Sequence, residues 1–313
     1  MAFTKSSGYG NLPSGNFTPQ IFSQKVQKFF RRASVVEDIT NTDYAGEIEN
    51  FGDTVKIIKE PVITVADYAR GTAVSTQDLA DDQLTLVVDQ GSYFAFKIDD
   101  IEERQSHVNF EALATSSGAY ALKKSYDFNV LKYIYDNAST SAANTGTDAS
   151  PLTGTTNSNT LVDIISAAKT VLDLNDVPEE NRWLVGPPKF FQQLRKADSK
   201  LMDQSVMGEG GSSQIRNGLV VDKPVFGFNM YVTNSIVAGG TGATASQTFG
   251  TASGSTEHIF LYGHMSAVAT ANHIAKTELI RDPDSFADIV RGLHVYGRKV
   301  LRTDAVFSGV VTL

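Results

Sequence analysis

Residues 82–106 read DQLTLVVDQGSYFAFKIDDIEERQS, and the change of pattern inside them sets the architecture. Up to Ile98 the stretch is rich in Val, Leu, Thr, Tyr and Phe and is interrupted only by a turn-like Asp-Gln-Gly, a β signature. Beyond it the acidic run Asp99, Asp100, Glu102 and Glu103 precedes a helical pattern in which Phe110, Ala114, Ala121, Phe128, Leu131 and Tyr135 share one face. Carboxylates suit the positive end of a helix dipole, so the acidic run is expected to open the helix. A helix of about 35 residues would span roughly 50 Å, far beyond the usual globular helix, and would act as a spine. Gly118 inside it costs about 1 kcal/mol relative to alanine and marks a place for a bend or break. Upstream, DTVKIIKEPVITVADY (53–68) is again β-like, and the polar ARGTAVSTQDLADDQ (69–83) joins the two runs. The spacing therefore predicts an extended hairpin over 51–98, with Pro61 placing its first run at an edge or bulge.

Outward from this centre the chain divides by composition. Residues 1–19 are rich in Gly, Ser, Asn and Pro and form an arm without a core. QIFSQKVQKFFRRAS (20–34) then sets Phe22, Val26, Phe29, Phe30 and Ala33 at helical spacing, with Lys25, Lys28, Arg31 and Arg32 on the polar side. After the spine, the low-complexity residues 138–160 form a hinge. TLVDIISAAKTVLDL (160–174) is an amphipathic helix with Leu161, Ile164, Ile165, Ala168, Val171 and Leu172 inward. In NRWLVGPPKFFQQLRKADSK (181–200), a strand over Trp183–Val185 meets a helix opened by Pro188, whose Phe190, Phe191 and Leu194 face inward, so this region is an α/β subdomain. PVFGFNMYV (224–232) alternates Phe226, Phe228, Met230 and Val232 as a strand between the glycine-rich loops GEGGSSQ and GGTGATASQTFGTASGS. From Lys276 to Leu313 the chain is β-rich once more.

Composition narrows the function. The 313 residues are 41% hydrophobic and 20% charged, which fits a globular chain. A net charge of -8 argues against broad nucleic-acid binding, which needs a basic surface. With no cysteine there is no disulfide framework, thiolate nucleophile or cysteine-ligated zinc. MAFTKSSGYGNLPSGNF lacks a signal-peptide apolar core and no run is long enough for a membrane helix, so cytosolic synthesis and no membrane partner are expected.

Catalytic and binding constellations are missing, and the site reading is empty: no catalytic, cofactor-binding or metal-binding residues, and no cofactor. His107, His258, His264, His273 and His294 show no metal-ligand spacing. In GHMSA (263–267) Ser266 lies one position too far from Gly263 for a nucleophile elbow. GGTGATAS lacks the Lys of a phosphate-binding loop. The acidic run from Asp99 lacks the twelve-residue frame of a calcium loop, and the phenylalanines of QKVQKFFRRAS are spaced for burial rather than base stacking. Large protruding elements without a catalytic centre point instead to neighbours.

On the order of these elements, and on GDTVKIIKEPVITVADY, YFAFKIDDIEERQS and SAVATANHIAKTELIRDPDSFADIVRGLHVYGRKVLR, the chain resembles the major capsid (coat) proteins of tailed double-stranded DNA bacteriophages, with the HK97-type fold. The resemblance implies an α+β chain divided into an N-terminal arm (1–44), an extended β-hairpin (45–97), a peripheral domain with the spine helix (98–150), an axial α/β domain (151–275) and returning peripheral strands (276–313). It implies a virion shell protein, not an enzyme, that self-assembles as hexamers and pentamers in the host cytoplasm around double-stranded DNA without sequence-specific binding. Residues 1–35 would cross to neighbouring subunits and 51–97 would lie across one. Scaffolding and portal proteins, and a decoration or cement protein, are the implied partners. Some relatives crosslink a hairpin lysine to an asparagine; Lys56 and Lys59 sit in the hairpin, with solvated lysines the simpler reading. An encapsulin-type shell and an α/β enzyme with its site beside Trp183 are the alternatives.

Overall fold

A computed structural model describes residues 34–44, 54–59, 63–71, 73, 76–77, 83–100, 110–141, 145–147, 152–153, 158–194, 225–236 and 257–313. Three sheets and four helices lie among these residues. The hairpin is the smallest sheet: β1 (Thr54–Ile58) pairs antiparallel with β2 (Gln83–Val87), in register from Thr54 opposite Val87 to Ile58 opposite Gln83. The chain then turns into β3 (Gln90–Asp99), which leaves the hairpin for a second sheet in the order β3, β10 (Ala287–Val300), β9 (Val268–Arg281). The single hairpin predicted over 51–98 is therefore two structures, because Asp89 breaks the run and the register of β3 is set by β10. β9 and β10 are each 14 residues long, an antiparallel arm of roughly 45 Å. Pro61 lies outside the described residues.

The spine is α2 (Phe110–Asn137), 28 residues or roughly 42 Å, and it runs unbroken through Gly118. Gly118 is there for contact: a Cβ on it would lie 2.9 Å from the Phe94 ring, and a Cβ on Gly292 of β10 would lie 2.3 Å from the opposite ring edge. Phe94 is thus wedged between helix and sheet, which explains a residue that helix propensity alone disfavours. The buried face of α2 also differs from the predicted stripe. Tyr126, Val130, Leu131 and Ile134 are buried, Phe128 and Tyr135 are partly covered and Ala121 is exposed, because the helix meets the core mainly along its C-terminal half.

The third sheet has the order β4 (Ser139–Thr140), β11 (Val306–Thr312), β8 (Glu257–His264), β6 (Arg182–Gly186), β7 (Phe228–Val232), with β5 (Leu152–Thr153) also on β11. α3 (Ser158–Leu174) and α4 (Pro188–Leu194) cover it, and every inward residue expected on them is buried. β6 and β7 run parallel, while β8 is antiparallel to both β6 and β11. Two expectations change here. β11 was expected among the returning peripheral strands, yet it sits inside the α/β sheet; Val306 to Val311 are buried without alternation, as for a strand covered on both faces. β7 begins at Phe228, because Phe226 and Gly227 form a tight turn with positive φ (52° and 83°) that returns Val225 to pair with Phe228. Phe226 is accordingly exposed.

One apolar cluster joins these layers. Rings run through it in sequence: Phe190 to Phe260 at 5.2 Å, Phe260 to Tyr262 at 5.9 Å and Tyr262 to Phe307 at 5.6 Å. Within it α1 (Val36–Ile39) contributes Val36 and Ile39, and Val35 precedes them. Thr40 Oγ1 and Thr270 Oγ1 lie 2.8 Å apart, and Asn41 bridges to Ala269. Val35, Val36 and Ile39 therefore belong to the core, with Glu37 and Asp38 facing solvent, although the arm was expected to reach 44. The helix read in QIFSQKVQKFFRRAS lies outside the described residues. Arg182, 1% exposed, ties the turn after α3 by donating to Asp173 at 2.6 Å and to the carbonyls of Pro178 at 2.8 Å and Val177 at 2.5 Å.

These contacts predict two substitutions. Trp183→Ala, at a side chain 1% exposed, is expected to cost about 3–5 kcal/mol, whereas Trp183→Phe should cost much less because the indole Nε1 has no hydrogen-bond partner among the described residues to lose. Denaturant midpoints of the two variants check the order. Arg182→Ala should cost less than Trp183→Ala, about 1–3 kcal/mol, since it leaves the Pro178 and Val177 carbonyls without their donor while water takes over the exposed Asp173 carboxylate.

Candidate assembly surface

The hairpin is fastened at its base and unsupported beyond it. Val55 and Ile57 pack with Leu86 and Val88 onto Ala269, Ala271 and Val295 in a small second core. The two layers touch at Gly297, where a Cβ would lie 2.6 Å from the carbonyl oxygen of Val87, so only glycine lets the hairpin cross β10 this closely. Past the five-residue ladder, residues 63–69 are irregular and pair with no strand among the described residues, and Arg70 and Gly71 turn the chain. Thr64 is held to Gln77 by backbone and hydroxyl donors, both 3.0 Å from Gln77 Oε1. Ile58, Ile63, Val65 and Tyr68 stand 86%, 69%, 96% and 72% exposed. Exposed apolar side chains clustered on one projection form a surface for another chain.

The β9–β10 arm presents a second such surface. Its tip is closed by charge: Arg281 pairs with Asp100 and with Asp288, Lys97 pairs with Asp282, and the Asp100 N–H donates to the Phe286 carbonyl at 3.1 Å. Lys97 and the Ser285 hydroxyl hold the Asp282 carboxyl down at about 2. Asp99 ends β3, and Asp100, already helical, also binds the tip through Arg281, while the residues between Asp100 and Phe110 lie outside the described residues. Glu102 and Glu103 lie outside the described residues. Phe286 at the tip and Tyr93 on the outer face of β3 are exposed.

The polar residues singled out in the sequence are dispersed. His258 lies on β8 and His294 on β10, where it stacks on Tyr296 at 5.3 Å and meets the edge of Tyr126 at the same distance. His264 and Ser266 do meet, Nδ1 to Oγ at 2.7 Å, but His264 also accepts from the Ser266 N–H and so closes the short helical turn 265–267. Burial lowers the pKa of all three histidines. His107 and the GGTGATAS loop lie outside the described residues. No group of three metal-ligating side chains occurs among the described residues, and none of their helices is long and apolar enough to cross a membrane. Lys56 and Lys59 are exposed. Asp127, which sequence reading passed over, is buried in α2 and accepts from the Ser34 hydroxyl and from the Val35 N–H at 3.3 Å, anchoring the start of the described chain; burial nevertheless raises its pKa.

A chain built on a spine helix, a hairpin held out from it and an α/β sheet, with apolar surface on its projections, has the form of a shell subunit. The chain belongs to the phage capsid protein family, whose model matches residues 59–309. It is similar to a chain from Mycobacterium phage Che8, at 27% identity and a TM-score of 0.77 over 96% of this chain and 98% of that one. It is similar in fold to a chain of the capsid of cyanophage P-SCSP1u, at 18% identity and a TM-score of 0.68 over 95% and 93%. It is also similar in fold to one from the mature capsid of bacteriophage PhiM1, at 16% identity and a TM-score of 0.68 over 99% of each chain. No curated protein sequence matches it. The fold is HK97-like, and the protein is a structural major capsid protein, not an enzyme.

The histidines give the fold a pH dependence with a definite sign. His258 and His294 are held below their ordinary value of 6.5 by burial, so the unfolded chain binds protons more readily and their stabilising contribution, complete above 6.5, is lost as pH falls. The melting temperature is expected to drop between about pH 7 and about pH 5. Asp127 acts with the opposite sign, since its raised pKa favours the folded state in acid. His294→Phe, which keeps the ring contacts, should flatten the slope; an unchanged slope would assign the acid sensitivity elsewhere.

Proposed function

We propose that this subunit self-assembles as hexamers and pentamers into the icosahedral head that encloses packaged double-stranded DNA, with assembly in the host bacterial cytoplasm. The observation that carries the reading is the exposure of Ile63, Val65 and Tyr68 on segment 63–69, which pairs with no strand among the described residues: a neighbour's surface is the natural cover for such a strip. The anchored hairpin then lies across an adjacent subunit. The division into arm, hairpin, peripheral and axial domains carries over as a proposal, with two boundaries moved. Val35, Val36 and Ile39 join the core, and 306–312 join the axial sheet. A scaffolding protein, a portal and a decoration protein are the proposed partners. The net charge of -8 suits a container whose wall must let DNA slide during packaging.

Negative-stain microscopy of the expressed protein, alone and with its scaffold, is expected to show closed shells; monomers under every condition would remove the reading. Nucleic acid inside purified particles separates a phage head from an encapsulin-type shell. Deletion of residues 1–33 should leave the cooperative melt intact and lower particle yield, whereas a deletion extending through Ile39 should also lower the melting temperature, because it removes Val35, Val36 and Ile39 from the core. Boiled in detergent, the particle should run as a single 33.8 kDa band, with Lys56 and Lys59 as solvated lysines; a ladder would show covalent links.

A further inference from the structure

The Phe94 ring is held by its opposite edges between two glycines. A Cβ on Gly292, its cross-strand partner in β10, would lie 2.3 Å from one edge, and a Cβ on Gly118 of α2 would lie 2.9 Å from the other. Carbon atoms rest about 3.5–4.0 Å apart, so no side chain fits at either glycine and the width of one ring sets how closely helix and sheet approach. Eight residues further along α2, Tyr126 makes the other contact with the arm, meeting Tyr296 edge to face at 4.8 Å. Between the two contacts the layers do not close: an open cleft of about 220 Å³ lies there, with Phe94, Leu122, Tyr126 and Leu293 among its lining residues. Toward the tip, the spacing of arm and helix is therefore set at Phe94 rather than by continuous packing.

We propose that Phe94 is a positioning residue for assembly: its ring sets the tilt of the β9–β10 arm on the spine helix and, through that tilt, the curvature of the shell. The two contacts are about 12 Å apart along the helix, so a displacement of about 1 Å at Phe94 turns the arm by roughly 5°. From Tyr296 to Phe286 at the tip is roughly 33 Å of strand, and the tip then moves by about 3 Å, the length of a hydrogen bond. Contacts between copies close at one rotation and run on into open filaments at another, so a shift of that size at an exposed tip is read out as particle shape. The inference rests on the self-assembly reading and names a residue that fixes its geometry.

Gly118→Ala in the full chain is the discriminating variant. Alanine is the better helix former, so a glycine without a positioning role would give a more stable subunit and unchanged particles. The expected result is instead a cooperative melt with particles of normal diameter reduced about tenfold, in favour of open or missized ones seen by negative-stain microscopy. Phe94→Leu makes room for the added methyl, so the pair Gly118→Ala with Phe94→Leu should bring the normal diameter back. Unchanged particles with Gly118→Ala, or no recovery in the pair, overturn the inference and leave the shell reading intact; failure of the unsubstituted protein to form particles overturns the shell reading instead. Should Gly118→Ala lose its cooperative melt, Phe94→Leu alone decides. Helix and sheet then close on the smaller side chain and the distribution of diameters shifts; an unshifted distribution overturns the inference.

Discussion

The packing of the C-terminal half of the spine helix against both larger sheets is the contact on which the remaining architecture depends. Val130, Leu131 and Ile134 share one apolar cluster with the α/β layer, and Tyr126 meets Tyr296 of the arm edge to face at 4.8 Å. Through those residues the helix fixes the sheet that would surround a capsomer centre and the arm that would reach away from it. Breaking this contact would separate two half-cores, neither closed on its own. The N-terminal half of the same helix touches the arm at the Phe94 wedge, so the long lever is held near both ends.

Rigidity at the base and exposure at the tip follow from the same economy of apolar surface. The hairpin spends Val55, Ile57, Leu86 and Val88 on a small second core, and Gly297 lets its backbone approach β10. Its outer apolar residues Ile58, Ile63, Val65 and Tyr68 stay exposed. A monomer would be exposed to aggregation by such a strip, whereas a symmetric shell covers each copy's strip with the next copy's surface.

Elements whose burial is local were legible in the sequence. The inward faces of α3 and α4, the strand at Trp183 and the proline that opens α4 all behave as their spacing and residue types dictate, because each packs one continuous face on one layer. Where two layers compete for one stretch, reading failed. Ala121 is apolar and correctly spaced yet exposed, since the arm sheet meets that part of α2 at Gly118 and Tyr126 instead. Phe226 fits an alternating strand but occupies a left-handed turn with Gly227. Asp100, read only as a helix-opening acid, also pairs with Arg281, a residue distant in sequence.

The sequence by itself determined the class of the protein: a spine helix, a β-rich projection before it, an α/β region after it, no cysteine and no catalytic constellation, all properties of short-range spacing and composition. Only the tertiary structure decided that the final strand belongs to the α/β sheet, that Val35, Val36 and Ile39 are core, and that the first β region divides between a hairpin and the arm. Those choices depend on pairing between segments up to about 230 positions apart, such as Thr40 with Thr270. Hydrogen-bond register and two-sided burial at that range leave no periodic trace in either segment alone.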